Sequence, residues 1–189
     1  MKKFTFGWEH GVTLFLVLTV VGGGFTSEYF ATIDNLSFVI QDIAEIAIIA
    51  LAMSYLIIAG EIDLSVASIL SLSSATIGYL FRNGTSFEIA ILGGLLVGLL
   101  CGLLNGYLVT VIGLPSLAVT IGTLALFRGL CYALLGNEPV NELPENWIVL
   151  GYENIPGTFL PWSTIPLVIL AAIAWIVLHY THIGRLPFA

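Results

Sequence analysis

Charged and amide side chains interrupt the long apolar runs of this 189-residue sequence at a few points. A charge at the centre of a bilayer costs roughly 2.5–3.5 kcal/mol, so such groups tend to face protein or a water-filled path. Gln41, Asp42 and Glu45 lie near the start of one apolar run, and Asp42 and Glu45 share a helix face because they are three residues apart. Their depth decides between a structural role at the interface and a role in lining a transport path.

A second group of polar residues lies in a later apolar run, which contains Thr120, Thr123 and Arg128. Arg128 can extend to the outer interface, pair with a carboxylate such as Glu45, or line a hydrophilic cavity. With Asp42 and Glu45 it can also form an ion-coupling relay, which is the chemistry of a secondary transporter. The candidate residues for a translocation path are Gln41, Asp42, Glu45, Thr120, Thr123 and Arg128.

Covalent and metal chemistry have little support in the sequence. Ser68 with His179 is the best pair for an intramembrane hydrolase, but a serine in an apolar run is better explained as a small residue between helices. His179 and His182 have no third metal ligand nearby in sequence, and Cys101 and Cys131 lie inside apolar runs without zinc-site spacing. We assign no catalytic residue, metal or cofactor to the chain.

The composition is that of a membrane protein. Hydrophobic residues make up 58% of the sequence and charged residues 9%, and the mean hydropathy of +1.04 rules out an ordinary soluble domain. With 5 Lys plus Arg and a net charge of −7, the chain lacks the clustered cations that bind phosphates. A nucleic-acid partner is therefore excluded.

Six apolar runs predict an all-α polytopic transmembrane bundle, because only helices satisfy the backbone of such runs in lipid. The polar segment between the fifth and sixth runs, residues 136–163, is acidic and rich in proline and tryptophan, so we expect an ordered cap. The positive-inside rule places the N-terminus in the cytoplasm and the polar segment outside. The predicted spans are 11–25, 38–60, 64–81, 88–112, 115–135 and 165–180.

The fourth span carries a glycine ladder at one-turn spacing. Gly94, Gly98, Gly102 and Gly106 would let a neighbouring backbone approach closely, and packing alone is enough to explain them.

The short link between the second and third spans predicts a helix hairpin whose motif residues are Gly60, Glu61, Asp63 and Ser65. Gly60 is suited to end the first helix, and Asp63 can accept a hydrogen bond from the amide of Ser65 or Val66. Capping alone would account for Asp63, and a functional role remains the alternative.

These features together resemble the inner-membrane permease subunits of bacterial ATP-driven sugar importers, the ribose, rhamnose and autoinducer group. The resemblance covers nearly all of the chain from the second span onward. The order and spacing of the matching motifs are specific to the family when taken together, although no single motif is specific by itself. The residues that carry it are Ile58–Ser68, Leu104-Asn105-Gly106, Leu114–Leu124 and Arg128-Gly129.

The resemblance implies a mechanism and a set of partners. A second permease subunit, identical or different, would complete the path, a periplasmic binding protein would deliver the sugar, and a pair of ATP-binding subunits would drive transport. No phosphate-binding loop G-x-x-x-x-G-K-[ST] occurs here, so ATP would bind to the partner. Gly184 and Arg185 look like the start of the segment that contacts the ATPase. The acidic polar segment is expected to form part of the docking surface for the binding protein.

The chain departs from the family pattern in two ways. Glu61 replaces a common glycine, which is more similar to the rhamnose or autoinducer branch than to the ribose branch. The sequence also stops where the family continues, so we expect residues 1–189 to be a single permease domain that is incomplete at its C-terminus. The alternatives are an ion-coupled secondary transporter and a purely structural membrane protein.

Overall fold

The computed structural model describes residues 7–136, 138–141 and 143–181. Across these ranges the chain forms helices joined by short turns, and the only strand-like pairing is an isolated bridge between Asn154 and Pro161. The predicted all-α polytopic bundle is confirmed. The helices are α1 (Trp8–Thr26), α2 (Ile33–Ile58), α3 (Val66–Arg82), α4 (Phe87–Thr110), α5 (Ser116–Leu135), α6 (Glu145–Tyr152) and α7 (Thr164–Tyr180).

All six apolar runs form helices, and the differences lie at the ends. α2 begins at Ile33, before the predicted start at residue 38, because the hydroxyl of Thr32 accepts a hydrogen bond from the Asn35 amide at 3.2 Å and caps the helix. The extra helix α6 lies within the polar segment, residues 136–163, and begins directly after Pro144.

Four of the described helices have lengths and compositions that suit a bilayer. By length and composition α1, α2, α4 and α5 can each cross a membrane. The apolar helices α3 and α7 have 17 residues each, so they measure about 25 Å at 1.5 Å per residue and fall slightly short of a 30 Å core. Phe15, Leu95 and Ile173 are among many large apolar side chains that remain exposed, as lipid contact requires.

α3 is the central helix of the bundle, because it packs against both α4 and α5. Leu72 of α3, Cys101 of α4 and Phe127 of α5 form the buried apolar core of this three-helix unit. α2 packs separately against α7, where the hydroxyl of Tyr55 donates to the carbonyl of Ala174 at 2.8 Å. α1 has no buried residue.

The glycine ladder of α4 divides into two parts. A Cβ added at Gly94 would lie 2.5 Å from Cγ1 of Ile77 and 2.9 Å from the carbonyl oxygen of Ser73, so α3 needs this glycine. A Cβ added at Gly98 would lie 3.1 Å from the hydroxyl oxygen of Ser73. Gly102 and Gly106 are exposed, and no atom lies within 4 Å of a Cβ added at either position.

The division of the ladder follows from helix geometry. Four residues turn an α-helix through about 400°, so a strict four-residue ladder drifts by about 40° at each step. After Gly98 the contact face of α4 therefore passes to Cys101 and Asn105, which are buried. Gly102 and Gly106 do not contact another helix of the described chain.

We predict that Gly94→Ala destabilises the protein by about 1–3 kcal/mol, because the methyl group overpacks the α3 contact. Gly102→Ala is the matched control, since both substitutions raise helix propensity equally and only the first meets a neighbour. The midpoint of thermal unfolding in detergent measures both. Equal midpoints for the two variants would contradict the packing of α3 on α4.

Candidate functional site

The turn between α2 and α3 ends one helix and positions the next. Gly60 adopts a positive φ of 79°, a conformation that disfavours any residue with a side chain. Its amide donates to Ile57 at 3.0 Å and the Glu61 amide donates to Leu56 at 2.9 Å, which is the hydrogen-bond pattern of a glycine-terminated helix. The chain therefore reverses sharply at this point.

Asp63 organises the second half of the turn. Its Oδ1 accepts hydrogen bonds from the amide of Ser65 at 2.7 Å and from the hydroxyl of Ser65 at 2.6 Å. The Ser65 amide is one of the two donors expected from the sequence. Ser65 itself occupies the N-cap position of α3, is completely buried, and gives its hydroxyl proton to Asp63 instead of capping the helix.

Asn105 connects this turn to α4. Its Nδ2 donates to the hydroxyl oxygen of Ser65 at 2.8 Å, although the two residues are 40 positions apart. Only 6% of Asn105 is exposed, and its Oδ1 has no hydrogen-bond partner. Burying an amide side chain costs free energy unless a hydrogen bond offsets the loss of hydration. The hydrogen bond to Ser65 therefore fixes α4 against the turn.

The start of α5 joins the same turn. The amide of Ile62 donates to the hydroxyl of Ser116 at 3.3 Å, and the hydroxyl of Thr120 donates to the carbonyls of Ser116 at 2.8 Å and Ile62 at 3.3 Å. The α2–α3 turn and the first turn of α5 are thus hydrogen-bonded to each other. We call this hydrogen-bonded set, formed by Ile62, Asp63, Ser65, Asn105, Ser116 and Thr120, the junction.

The junction includes residues that sequence reasoning did not select as site residues. Asn105 is part of the family resemblance only, although an amide inside an apolar run is a signal for a buried polar contact. Thr120 and Thr123, both expected along a path, are buried, and the Thr123 hydroxyl donates to the carbonyl of Thr120 at 3.5 Å. The structure thus places both threonines within helix contacts near the junction.

Arg128 lies in a cavity between α3 and α5. The cavity has a volume of about 390 Å³, and Ser68 and Ser71 line its α3 side. The Arg128 side chain is exposed and makes no hydrogen bond or ion pair with any described residue. Of the three roles open to Arg128, this geometry favours the hydrophilic cavity. Its complete lining is Ala67, Ser68, Ser71, Leu124, Arg128, Cys131 and Tyr132.

The polar candidates of α2 do not join Arg128. Asp42 and Glu45 are exposed on α2 and form no ion pair within the described ranges. Gln41 is buried and its Nε2 donates to the carbonyl of Gly151, while Ser37 donates to Oδ1 of Asn154 at 2.6 Å. Gln41 therefore binds α2 to the polar segment.

The polar segment covers the end of α3 that is opposite the junction. Val140 lies against Gly78, where an added Cβ would be 3.1 Å from the valine side chain. Trp147 donates to Oε1 of Glu88 at 3.4 Å, and its ring centroid is 5.5 Å from that of Phe87. The described residues of the segment thus connect α2 with the α3–α4 end.

Several expected site residues lie outside the described ranges. Gly184 and Arg185, expected to begin the ATPase contact, are among them, as are His182 and Glu142. Among the residues that are described, no group of three or more His, Cys, Asp or Glu side chains is arranged to hold a metal ion.

We predict that Asp63→Ala lowers stability by about 1–2 kcal/mol, because it removes the acceptor shared by the Ser65 amide and hydroxyl. Asp63→Asn keeps an acceptor oxygen and should retain most of the stability. Thermal unfolding in detergent distinguishes the two variants. If alanine and asparagine were equally well tolerated, Asp63 would not hold the turn through Oδ1.

Comparisons with known proteins show the family of most of the chain. Residues 35–189 match the family described as "Branched-chain amino acid transport system / permease component". No solved structure matches the chain. Because the match includes the junction and the cavity, these features belong to the part of the chain shared with the family.

Curated relatives are similar over almost the whole chain. The autoinducer 2 import system permease protein LsrD of Escherichia coli (strain K12) is 32% identical over 98% of this chain, and the LsrD protein of Shigella flexneri has the same identity and coverage. The chain spans 58% of the length of each relative. The family match covers residues 35–189, and the relatives are 32% identical over nearly the whole chain. The chain therefore belongs to the membrane-embedded permease components of the branched-chain amino acid transport system family.

Proposed function

We propose that this chain is part of a permease subunit of an ATP-driven importer, and that it forms one side of the path for a sugar or sugar-like solute. The single observation that supports this function best is the junction, in which residues of the permease motifs meet from three separate segments of the chain. Relatives named as autoinducer 2 import permeases make autoinducer 2 or a related sugar-like molecule the favoured solute.

The proposed mechanism requires other subunits. A second permease subunit would complete the path, a periplasmic binding protein would deliver the solute, and paired ATP-binding subunits would supply the energy. The permease itself would perform no covalent chemistry and bind no cofactor. Its task is to change between outward-open and inward-open arrangements, and ATP-driven movement of the partner can favour one arrangement over the other.

The proposed orientation follows the positive-inside rule in the bacterial inner membrane. The N-terminus and the junction would face the cytoplasm, and the polar segment would face the periplasm. The junction would then lie on the side of the ATP-binding subunits. Since it binds the starts of α3 and α5 to α4, movement applied at the cytoplasmic side would reach these helices as one unit.

An ion-coupled secondary transporter is supported less well. That function needs Asp42, Glu45 and Arg128 to exchange ions or protons along one path. The two carboxylates are exposed on α2 without an ion pair, whereas Arg128 lies in the α3–α5 cavity. The three charges therefore do not form a relay within the described chain.

We predict that solute uptake by the complete importer in proteoliposomes depends on ATP and persists when an ionophore removes the ion gradients. The reason is that the energy comes from the partner subunits and not from coupled ions. Labelled autoinducer 2 is the substrate to test first. Uptake that continues without ATP and stops with the ionophore would support the secondary transporter instead.

We also predict that the double variant Glu138→Lys and Glu145→Lys weakens capture of the binding protein, because both carboxylates are exposed on the polar segment. The solute concentration for half-maximal uptake should rise, with little change at saturation. Glu9→Lys is the matched control, since Glu9 is exposed in the first turn of α1, at the opposite end of that helix from the α1–α2 turn. Unchanged uptake at limiting solute in the double variant would reject the docking role.

A further inference from the structure

The cavity between α3 and α5 contains an arginine charge without a counter-ion in the described chain. Arg128 lies seven residues before Leu135, about 10 Å from the end of α5. At that depth a guanidinium is stable only beside water or a partner group. The 390 Å³ cavity is within the size range of small-molecule sites, so it can hold water or a small solute.

The hydroxyl groups of the α3 side are available as acceptors. The Ser71 hydroxyl donates its proton to the carbonyl of Ala67 at 2.8 Å, and the Ser68 hydroxyl donates to the carbonyl of Ser65 at 2.7 Å. Each oxygen keeps lone pairs after this bond. The α3 side thus offers hydrogen-bond acceptors to the cavity, while Arg128 on the opposite side offers only donors.

We propose that this cavity binds a small, uncharged, hydroxyl-rich solute, with the Arg128 guanidinium donating to two neighbouring solute oxygens and the serine oxygens accepting from solute hydroxyls. This inference rests on the proposed function, because it identifies the solute class of the same path. A sugar hydroxyl both donates and accepts, so it matches both sides of the cavity. Arginine is suited to the task because its planar group binds two adjacent oxygens at once.

The family description suggests a different solute, a branched-chain amino acid. Its carboxylate would pair with Arg128 and its ammonium group would donate to the serine oxygens, so the polar groups of the cavity match this solute as well. Its branched apolar side chain would lie against Ala67, Leu124, Cys131 and the ring of Tyr132. The protection experiment below therefore compares both solute classes.

Cys131 provides a natural reporter for this site. It lines the cavity, is partly exposed, and its thiol lies 3.7 Å from the carbonyl oxygen of Ser71. Cys101, the other cysteine, is buried in the core. A thiol reagent in membrane vesicles that contain the full-length protein should therefore modify Cys131, and Cys131→Ala should abolish the labelling. This measurement needs neither ATP nor partner subunits.

The first arm tests the charge of the cavity. Negatively charged methanethiosulfonate reagent should modify Cys131 faster than the positively charged reagent of similar size, because Arg128 attracts anions. Arg128→Gln should remove this preference, and Arg128→Lys should preserve it. Arg82→Gln is the matched control and should change nothing, since Arg82 lies at the other end of α3. If Cys131 does not react, or reacts without a charge preference, the hydrated cationic cavity is contradicted.

The second arm tests the solute class, with D-ribose and L-leucine as probes. D-ribose should slow the modification of Cys131, and the concentration needed should rise by about tenfold in Arg128→Lys, which keeps the charge but loses the paired donors. L-leucine should give no protection. Protection by L-leucine alone, or equal protection by D-ribose in the lysine variant, would overturn the proposal. Loss of ATP-dependent uptake with D-ribose protection intact would reject the proposed function and leave this site in place.

Discussion

The hydrogen bonds of the junction determine where α3 begins, and most other features of the molecule depend on that position. Asp63, Ser65 and Asn105 form a continuous series in which each side chain bonds to the next. In an apolar surrounding such bonds have no competing water, and breaking one leaves a buried polar group without a partner.

From the junction, α3 extends between α4 and α5 and carries one wall of the cavity. Its contact with α4 depends on Gly94, because lipid provides no hydrophobic drive between helices and close packing must supply the stability. Its contact with α5 leaves Ser68 and Ser71 beside Arg128. At its far end, Gly78 contacts Val140 of the polar segment. One helix of 17 residues thus links the turn, the cavity and the cap.

The sequence predicts the helices well because long apolar runs have few alternatives in lipid. It misses the start of α2, since Asp34 and Asn35 interrupt the apolar pattern while Thr32 caps the helix. It also misses α6, an eight-residue helix between prolines that has too short a pattern to recognise.

Hydrogen bonds between segments that are distant in the sequence were less predictable. Asp63 could be recognised as a capping residue from its neighbours, because that bond spans two positions. The bond between Ile62 and Ser116 spans 54 positions, and the contact between Tyr55 and Ala174 spans 119, so neither has a local signal. For Arg128 the sequence left three roles open, and its position beside Ser68 and Ser71 depends on the packing of α3 on α5, which has no local signal.

The account depends most on the claim that the junction and the polar segment lie on opposite sides of the membrane. Single cysteines at Glu61 and Glu153, with Cys101 and Cys131 replaced by alanine, test this claim because the two positions lie at these two ends. In cells whose outer membrane is permeable to it, a maleimide that cannot cross the inner membrane should label Glu153→Cys, and should label Glu61→Cys only after the inner membrane is opened. Labelling of both cysteines from the same side would contradict the proposed threading and the surfaces assigned to the partner subunits.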